Sequence, residues 1–398
     1  MRINCILGPF LPIPPVLGGS IEKIFLALCE EFSARGHEVA MLSRRFRDFP
    51  NENWINGVRH IRVPSRDRPH NALAFRFFDI LYTLQVRKAL PPADITITNS
   101  VSAPLLIPRS TAGKIYVDVA RYPKRQMGIY RHVDRLQCCS THIARAVCEQ
   151  TPSVAHLVKA IPNALTSIFA ATSVGPMQHD RAKEVVFVGR VAREKGLHLL
   201  IRAFALVGPK FPDWRLVVVG PHLASQGGDG DGFLQELRGL AAAAGVEAQF
   251  VGPIFDERAL EECYSRSSIF VYPSIAERGE AFPVAPLEAM ACGCAPVVSD
   301  LRCFDDAITA EVNGLIFDHR DPSGKPLAEV LERLMSSDTL RHKIAEGAKQ
   351  KSRDYIPATV ARLFLEDFSV LTGLPTDPVR PGANKAVQPL IPGSVAAT

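Results

Sequence analysis

Two glutamates, Glu280 and Glu288, stand seven intervening residues apart in the stretch Tyr272–Asp300, which reads YPSIAERGEAFPVAPLEAMACGCAPVVSD. Pro286 lies between them, and proline is tolerated in a helix's first turn, where its missing N–H would have had no intrahelical partner. Glu288 then falls early in that helix, its side chain leaning back toward the N-terminus. Glu280 sits just outside, facing the same crevice. The unpaired N–H groups of such a terminus favour anions. A carboxylate beside a bound phosphate costs Coulomb energy, so both glutamates are better used to accept hydrogen bonds from hydroxyls. As an isolated pair they would read as a loop charge and a helix cap.

Two cations precede them. The segment Val185–Gly196 reads VVFVGRVAREKG, a strand ending at Gly189 with Arg190 and Lys195 five positions apart before a helix. Strand end, cations and helix N-terminus make a natural pyrophosphate clamp. Arg190 can bind two oxygens at once, whereas Lys195 supplies a compact charge, and both are expected at a cleft edge. Gly18 and Gly19 ahead of the first helix, and Gly252 after Phe250-Val251, are places where a ligand can approach the backbone closely.

The elements that must position these residues alternate between strand and helix from end to end, which indicates α/β architecture with parallel sheets. Strands are read at 2–7, 39–42, 95–98, 115–117 and 136–139, then at 185–188, 216–219, 249–251, 269–272 and 296–298; the first helix runs from about Gly19 to Arg35 and stops at Gly36. Two Rossmann-like domains follow, 1–165 and 184–355, joined by a patternless linker at 166–183 that contains Gly175-Pro176. A helix apolar on one face covers 356–372, and the Pro-rich remainder, 373–398, reads as a disordered tail.

At 398 residues, with 47% apolar and 22% charged, the chain is a globular protein of two ordinary domains rather than a disordered or fibrous one. No run of 18 uncharged apolar residues is present, so no spanning helix is expected. Nine cysteines match no zinc spacing, and the odd total argues for reduced thiols in a cytoplasmic protein. Residues 1–164 hold 22 Lys+Arg against 12 Asp+Glu, or +10, which leaves −5 for the rest of a chain of net charge +5. Arg44, Arg45, Arg47, Arg59, Arg62, Arg66 and Arg68 carry much of that excess. Peripheral contact with an anionic membrane or an anionic acceptor fits this asymmetry, and so does a solvated basic face. No nucleic-acid motif accompanies the charge.

The glutamate string with its flanks (Pro273-Ser274, Phe282, Ala289–Gly293, Pro296–Val298) resembles the donor site of the retaining glycosyltransferases of family four, glycosyl transferases group 1. The segment from Gly189 to Gly196 resembles the family's phosphate loop, and Gly18-Gly19 its N-terminal glycine loop. The resemblance reaches Leu371 and implies the GT-B fold: two Rossmann-like domains facing a cleft, with the last helix crossing back to the first. It implies a nucleotide-diphosphate sugar donor, UDP- or GDP-linked, and a glycan or glycolipid hydroxyl as acceptor, in bacterial-type cell-surface polysaccharide synthesis. Arg190 and Lys195 would neutralise the leaving diphosphate, and Glu280 would hold the transferred sugar. Glu288 would grip the ribose, while Gly18, Gly19, Gly189, Gly252, Phe282, Pro283 and Val284 line the nucleotide. Displacement on one face would follow, with the leaving phosphate helping to take the acceptor's proton. The cations and helix terminus would do the neutralising, so neither a metal nor a cofactor is expected.

Two departures stand out. Pro283 occupies a position that is glycine in many members, which removes one backbone donor. The family's first-domain histidine is also missing, leaving Asn99 or Asp118 as stand-ins; His37 reads as structural. A nucleotide-sugar epimerase on the same fold and a non-catalytic sugar-nucleotide-binding subunit are the rival readings.

Overall fold

The computed structural model describes residues 1–69 and 71–377, and the end of the Pro-rich tail lies outside them. The first sheet contains β1 (Arg2–Ile6), β2 (Glu38–Arg44), β3 (Glu52–Ile55), β4 (Val58–Val63), β5 (Ile95–Thr98), β6 (Lys114–Val119), β7 (Arg135–Cys138) and β8 (Val158–Ala160). Its order is β3-β4-β2-β1-β5-β6-β7-β8, parallel except where β3 meets β4. The second sheet contains β9 (Ala182–Val188), β10 (Arg215–Val219), β11 (Ala248–Gly252), β12 (Ser267–Tyr272), β13 (Ala295–Ser299) and β14 (Leu315–Phe317). It runs β11-β10-β9-β12-β13-β14, all parallel.

Helices cover both sheets, as parallel strands require. In the first unit these are α1 (Ser20–Ala34), α2 (Ala72–Ala89), α3 (Ala103–Leu106), α4 (Arg109–Ala112) and α5 (Thr141–Gln150), followed by α6 (Ser167–Val174) at the junction. The second unit has α7 (Leu197–Val207), α8 (Gly230–Ala243), α9 (Glu257–Arg266), α10 (Val284–Ala291), α11 (Lys325–Ser336) and α12 (Asp338–Ser352). The all-apolar runs in β9 and β10 are buried on both faces, Val185 to Phe187 and Leu216 to Val219 being 0–1% exposed.

The last helix, α13 (Pro357–Thr372), lies on the first domain. Phe364 and Phe368 pack against Phe32 of α1 and Tyr116 of β6 at centroid distances of 5.1–6.2 Å. Asp367 takes two hydrogen bonds from Arg135, at 2.8 and 2.7 Å, and one from Tyr116 at 2.9 Å. That ion pair is buried and hydrogen-bonded at both oxygens, which fixes the helix in one register.

Some elements go beyond the sequence reading. Strands β3 and β4 form a hairpin whose turn, Asn56-Gly57, has φ of 49° and 78°, the left-handed conformation these two residues favour. Strand β14 and helix α2 were also unread. The stretch 166–183, read as a patternless linker, carries α6, whose Phe169 meets Tyr264 edge-on at 5.9 Å and whose Ser173 bonds Ser352 at 2.6 Å.

Candidate active site

Each sheet has one place where the connections diverge to either side, β1 beside β5 and β9 beside β12. Ligands of open α/β sheets bind outside the carboxyl ends of the strands at such a point. In the second sheet the chain leaves β9 through Gly189-Arg190, makes a turn over Arg193–Lys195, and enters α7 after Gly196. Gly196 has φ +67°, and a Cβ there would stand 1.9 Å from the Pro273 carbonyl, so only glycine lets this loop close on the end of β12.

The close approach puts Lys195 beside the glutamate loop. Its Nζ donates to Glu280 Oε1 at 2.5 Å and to the Tyr272 hydroxyl at 2.9 Å, while Ser274 Oγ donates to the same carboxylate oxygen at 2.7 Å. Lys195 is 7% exposed and Glu280 6%. Lys195 is therefore not at a cleft edge as expected; it is the inner half of a buried ion pair. Arg190 remains accessible, donating to the Glu194 carboxylate at 2.6 Å and to the Gly227 carbonyl. The two cations thus differ: one is locked inward and one sits at the rim.

Glu288 lies one turn inside α10 and accepts from the Tyr264 hydroxyl at 3.1 Å. Burial raises its carboxyl to about 7, against the pull of Tyr264 and Lys23. Lys23, on α1 of the first domain, pairs with Glu257 of α9 at 3.1 Å across the cleft. Gly18 faces Phe255, where a Cβ would stand 3.6 Å from the ring, and Gly19 lies under the Glu22 carboxylate. Gly252 ends β11 with φ +85° and open space where a side chain would be. Gly189 fits under Phe187. Phe282, expected on the nucleotide, is 4% exposed and packs on Tyr355 at 5.7 Å, so its ring is spent on the core. Pro283 is the N-cap of α10 and Val284 its first residue.

The structure adds groups that the sequence reading missed. Ser140, at the N-cap of α5, donates to the Ala281 carbonyl at 2.8 Å, and Asn163 donates to the Phe282 carbonyl at 2.9 Å. Thr141 bonds Asp306 through N and Oγ1, at 2.7 and 2.6 Å. First-domain side chains therefore hold the loop that carries Glu280. A serine directly after a strand and before a helix was the available signal for Ser140. The chain also holds an Asp-x-Asp, Asp229-Gly230-Asp231, in which Asp229 accepts from the Arg193 N–H at 2.6 Å and Asp231 meets His222 at 2.9 Å.

In the first sheet, Asp118 points from β6 to the α1 side, 7% exposed, with Oδ2 lacking a partner among the described residues. Burial, then the charge of Glu22, pushes it up to about 7. Asn99 Oδ1 is likewise buried and unpartnered, near Gly8. His37 is buried against the N-terminal amine at 3.1 Å, away from the cleft groups. Of the basic cluster, Arg44 and Arg62 are turned inward, 8% and 3% exposed, and Arg59 pairs with Glu52. Arg45, Arg47, Arg66 and Arg68 stay exposed, so only part of that cluster is open to solvent. All nine cysteines are free thiols.

Residues 176–351, which span this clamp and both glutamates, match the family model described as Glycosyl transferases group 1. The second domain is thus that of a group 1 glycosyltransferase. The chain is 29% identical over 393 residues to phosphatidyl-myo-inositol mannosyltransferase of Mycobacterium tuberculosis, covering 94% of this chain and 98% of that protein. Spore coat protein SA of Bacillus subtilis is 23% identical over 380 residues, covering 88% and 94%. Among solved structures, sucrose-phosphate synthase of Thermosynechococcus elongatus superposes with a TM-score of 0.74 at 18% identity, over 94% of this chain and all of that one. HepE of Anabaena, solved with UDP and glucose, gives 0.70 at 15% over 93% and 100%. The whole chain has the GT-B fold. Among the described residues no helix is long and apolar enough to cross a membrane.

Proposed function

We propose that this glycosyltransferase moves a sugar from a UDP- or GDP-linked donor to a hydroxyl of a glycan or glycolipid, with retention and without a metal, in cell-surface polysaccharide synthesis. The observation that carries the reading is the convergence of Arg190, Lys195 and Glu280 on the carboxyl ends of β9 and β12. Arg190 at the rim meets the diphosphate with two N–H groups, and Lys195 supports it from below as charge develops on the leaving oxygen. Because Glu280 holds Lys195, binding the sugar and placing the phosphate cation are one arrangement rather than two. Glu288, deeper along α10, accepts from the ribose hydroxyls. Similarity to a mannosyltransferase along nearly the whole chain supports a hexosyl donor.

The test is turnover of UDP- and GDP-hexoses with a glycolipid acceptor in EDTA, with the product's anomeric configuration read by NMR. The expected product keeps the donor's configuration, and Glu288→Gln weakens free nucleoside diphosphate by about 1.5–3 kcal/mol, the range for a hydrogen bond to a charged group. An inverted product, or activity restored only by manganese, would break the mechanism. An epimerised sugar formed without acceptor would favour the epimerase instead.

A further inference from the structure

Tyr272 is the last residue of β12, and its ring is held from three sides. Phe187 of β9 stacks on it at 6.0 Å between centroids, Phe270 does so at 6.2 Å, and Phe304 meets it edge-on at 6.1 Å. The hydroxyl alone reaches the clamp, 2.9 Å from Lys195 Nζ. Burial, then the charge of Glu280, holds the phenol's proton on well beyond the usual phenol range. Lys195 therefore donates to a neutral oxygen there, not to a second anion.

The hydrogen-bonding capacity around that oxygen is divided unevenly. An ammonium has three N–H groups and no acceptor, whereas an ionised carboxylate only accepts. One N–H of Lys195 goes to Glu280 Oε1 at 2.5 Å and a second to Tyr272, and Ser274 Oγ donates to the same Oε1 at 2.7 Å. Oε1 thus takes two donors. Oε2 takes none from the described residues and is not shut off from solvent. The third N–H of Lys195 also has no acceptor among the described residues. Because the three N–H groups are tetrahedral, two fixed bonds fix the direction of the third.

A second lysine shows what happens without such a hydroxyl. Lys210 pairs with Glu332 and has no other acceptor among the described residues; it donates to both carboxylate oxygens, each at 2.8 Å. The same collapse at Lys195 would cover Oε2 and turn the third N–H inward. We propose that Tyr272 is a positioning residue for sugar transfer: its hydroxyl takes one N–H of Lys195 and so holds the ammonium to a single oxygen of Glu280. One N–H is then left for the phosphate that carries the leaving oxygen, and Oε2 for a hydroxyl of the donor sugar. This rests on the glycosyl-transfer reading above, and it makes a group that touches neither phosphate nor sugar necessary for both.

The experiment is Tyr272→Phe, which keeps the ring against its three phenylalanines and removes only the oxygen. By calorimetry, affinity for UMP or GMP, which lack the phosphate carrying the leaving oxygen, should stay within about twofold of wild type. UDP or GDP should bind about tenfold more weakly, and kcat/KM for the intact hexose donor should fall about a hundredfold, as one and then two charge-assisted contacts are lost. In a Lys195→Met background the same substitution should change kcat/KM by less than about twofold, because the hydroxyl then has no ammonium to hold. Equal losses on monophosphate, diphosphate and donor, or an equal loss in both backgrounds, would make Tyr272 a packing residue and overturn the proposal. So would a Tyr272→Phe enzyme with full kcat/KM. If Tyr272→Phe melts well below wild type, fluorotyrosine at 272, a weaker acceptor on the same ring, must show the same graded losses for the proposal to stand. Wild-type protein that turns over neither UDP- nor GDP-hexoses removes the glycosyl-transfer reading, and this inference with it; an active wild type beside an unaffected variant removes this inference alone.

Discussion

The carboxyl ends of the two sheets are built in opposite ways. Around β9 and β12 the polar groups answer one another: Lys195, Tyr272, Ser274 and Glu280 form a closed hydrogen-bonded set. Around β5 and β6 they do not, since Asp118 Oδ2 and Asn99 Oδ1 are buried with no partner among the described residues. A buried polar atom left unmade costs about 1–3 kcal/mol, whereas a satisfied network rigidifies its surroundings. The second domain therefore carries a preassembled site, and the first carries unspent hydrogen-bonding capacity.

The largest expected effect tests that preassembly. Lys195→Ala strips Glu280 of its counter-charge inside the protein, and breaking a buried pair costs about 3–5 kcal/mol of stability. Arg190→Ala removes a solvated cation and should move Tm by little. Both should lower kcat/KM by about 2–4 kcal/mol of transition-state stabilisation, the range for one lost charge-stabilising donor. Scanning calorimetry beside donor kinetics separates them. Equal thermal stability of the two variants would mean that the buried pair does not hold the site together.

Legibility in the sequence follows the same division. The strand, loop and helix contexts of Gly189, Arg190, Lys195, Glu280 and Glu288 were readable because these residues sit in two short strings and those contexts are local. The contact between Lys195 and Glu280 was not, because it joins residues 85 positions apart through the tight passage of Gly196 under Pro273. Burial was misjudged for the same reason: a lysine in a polar loop reads as surface until a partner is known. The doubly wound sheets were visible in the alternation of apolar runs, while β3, half exposed at the sheet edge, lacked a core face to announce it, and buried β4 was disguised by Arg59, His60 and Arg62 among its apolar residues. Arginines 44 and 62 counted as surface charge in the sequence; the fold spends them on the Phe10, Ile13 and Pro50 carbonyls.

A smaller effect probes the first domain. Asp118 faces Glu22 of α1 and Cys5 of β1, and its carboxyl is raised by burial and by Glu22 to about 7. A raised carboxyl binds its proton more tightly folded than unfolded, so its contribution is fully present below the unfolded value of 3.8 and is lost as pH rises through about 7. Asp118→Asn should therefore gain stability relative to wild type as pH goes from 4 to 7, and the gap should level off above that. Denaturant midpoints at several pH values give the curve. A gap that is flat with pH would mean that Asp118 is ionised and paired in the folded protein.

The smallest effect asks how the two regions are joined. Ser140 and Asn163 reach from the first domain to the Ala281 and Phe282 carbonyls, one and two residues beyond Glu280. Each hydrogen bond is worth about 0.5–1.5 kcal/mol net, far less than the buried ion pair. The Lys23–Glu257 bridge nearby is partly solvated and contributes still less. Yet these bonds fall on the backbone of the loop that carries Glu280, so they set its position only when the domains are together. Ser140→Ala with Asn163→Ala should lower kcat/KM roughly tenfold, the product of two such bonds. Affinity for nucleoside diphosphate alone should stay within about twofold, because Arg190 and Glu288 belong to the second domain. If calorimetry finds nucleotide affinity falling in step with kcat/KM, these side chains maintain the loop's own fold. Closure would then have to be communicated elsewhere, with Asp306 and its two bonds from Thr141 the next place to cut.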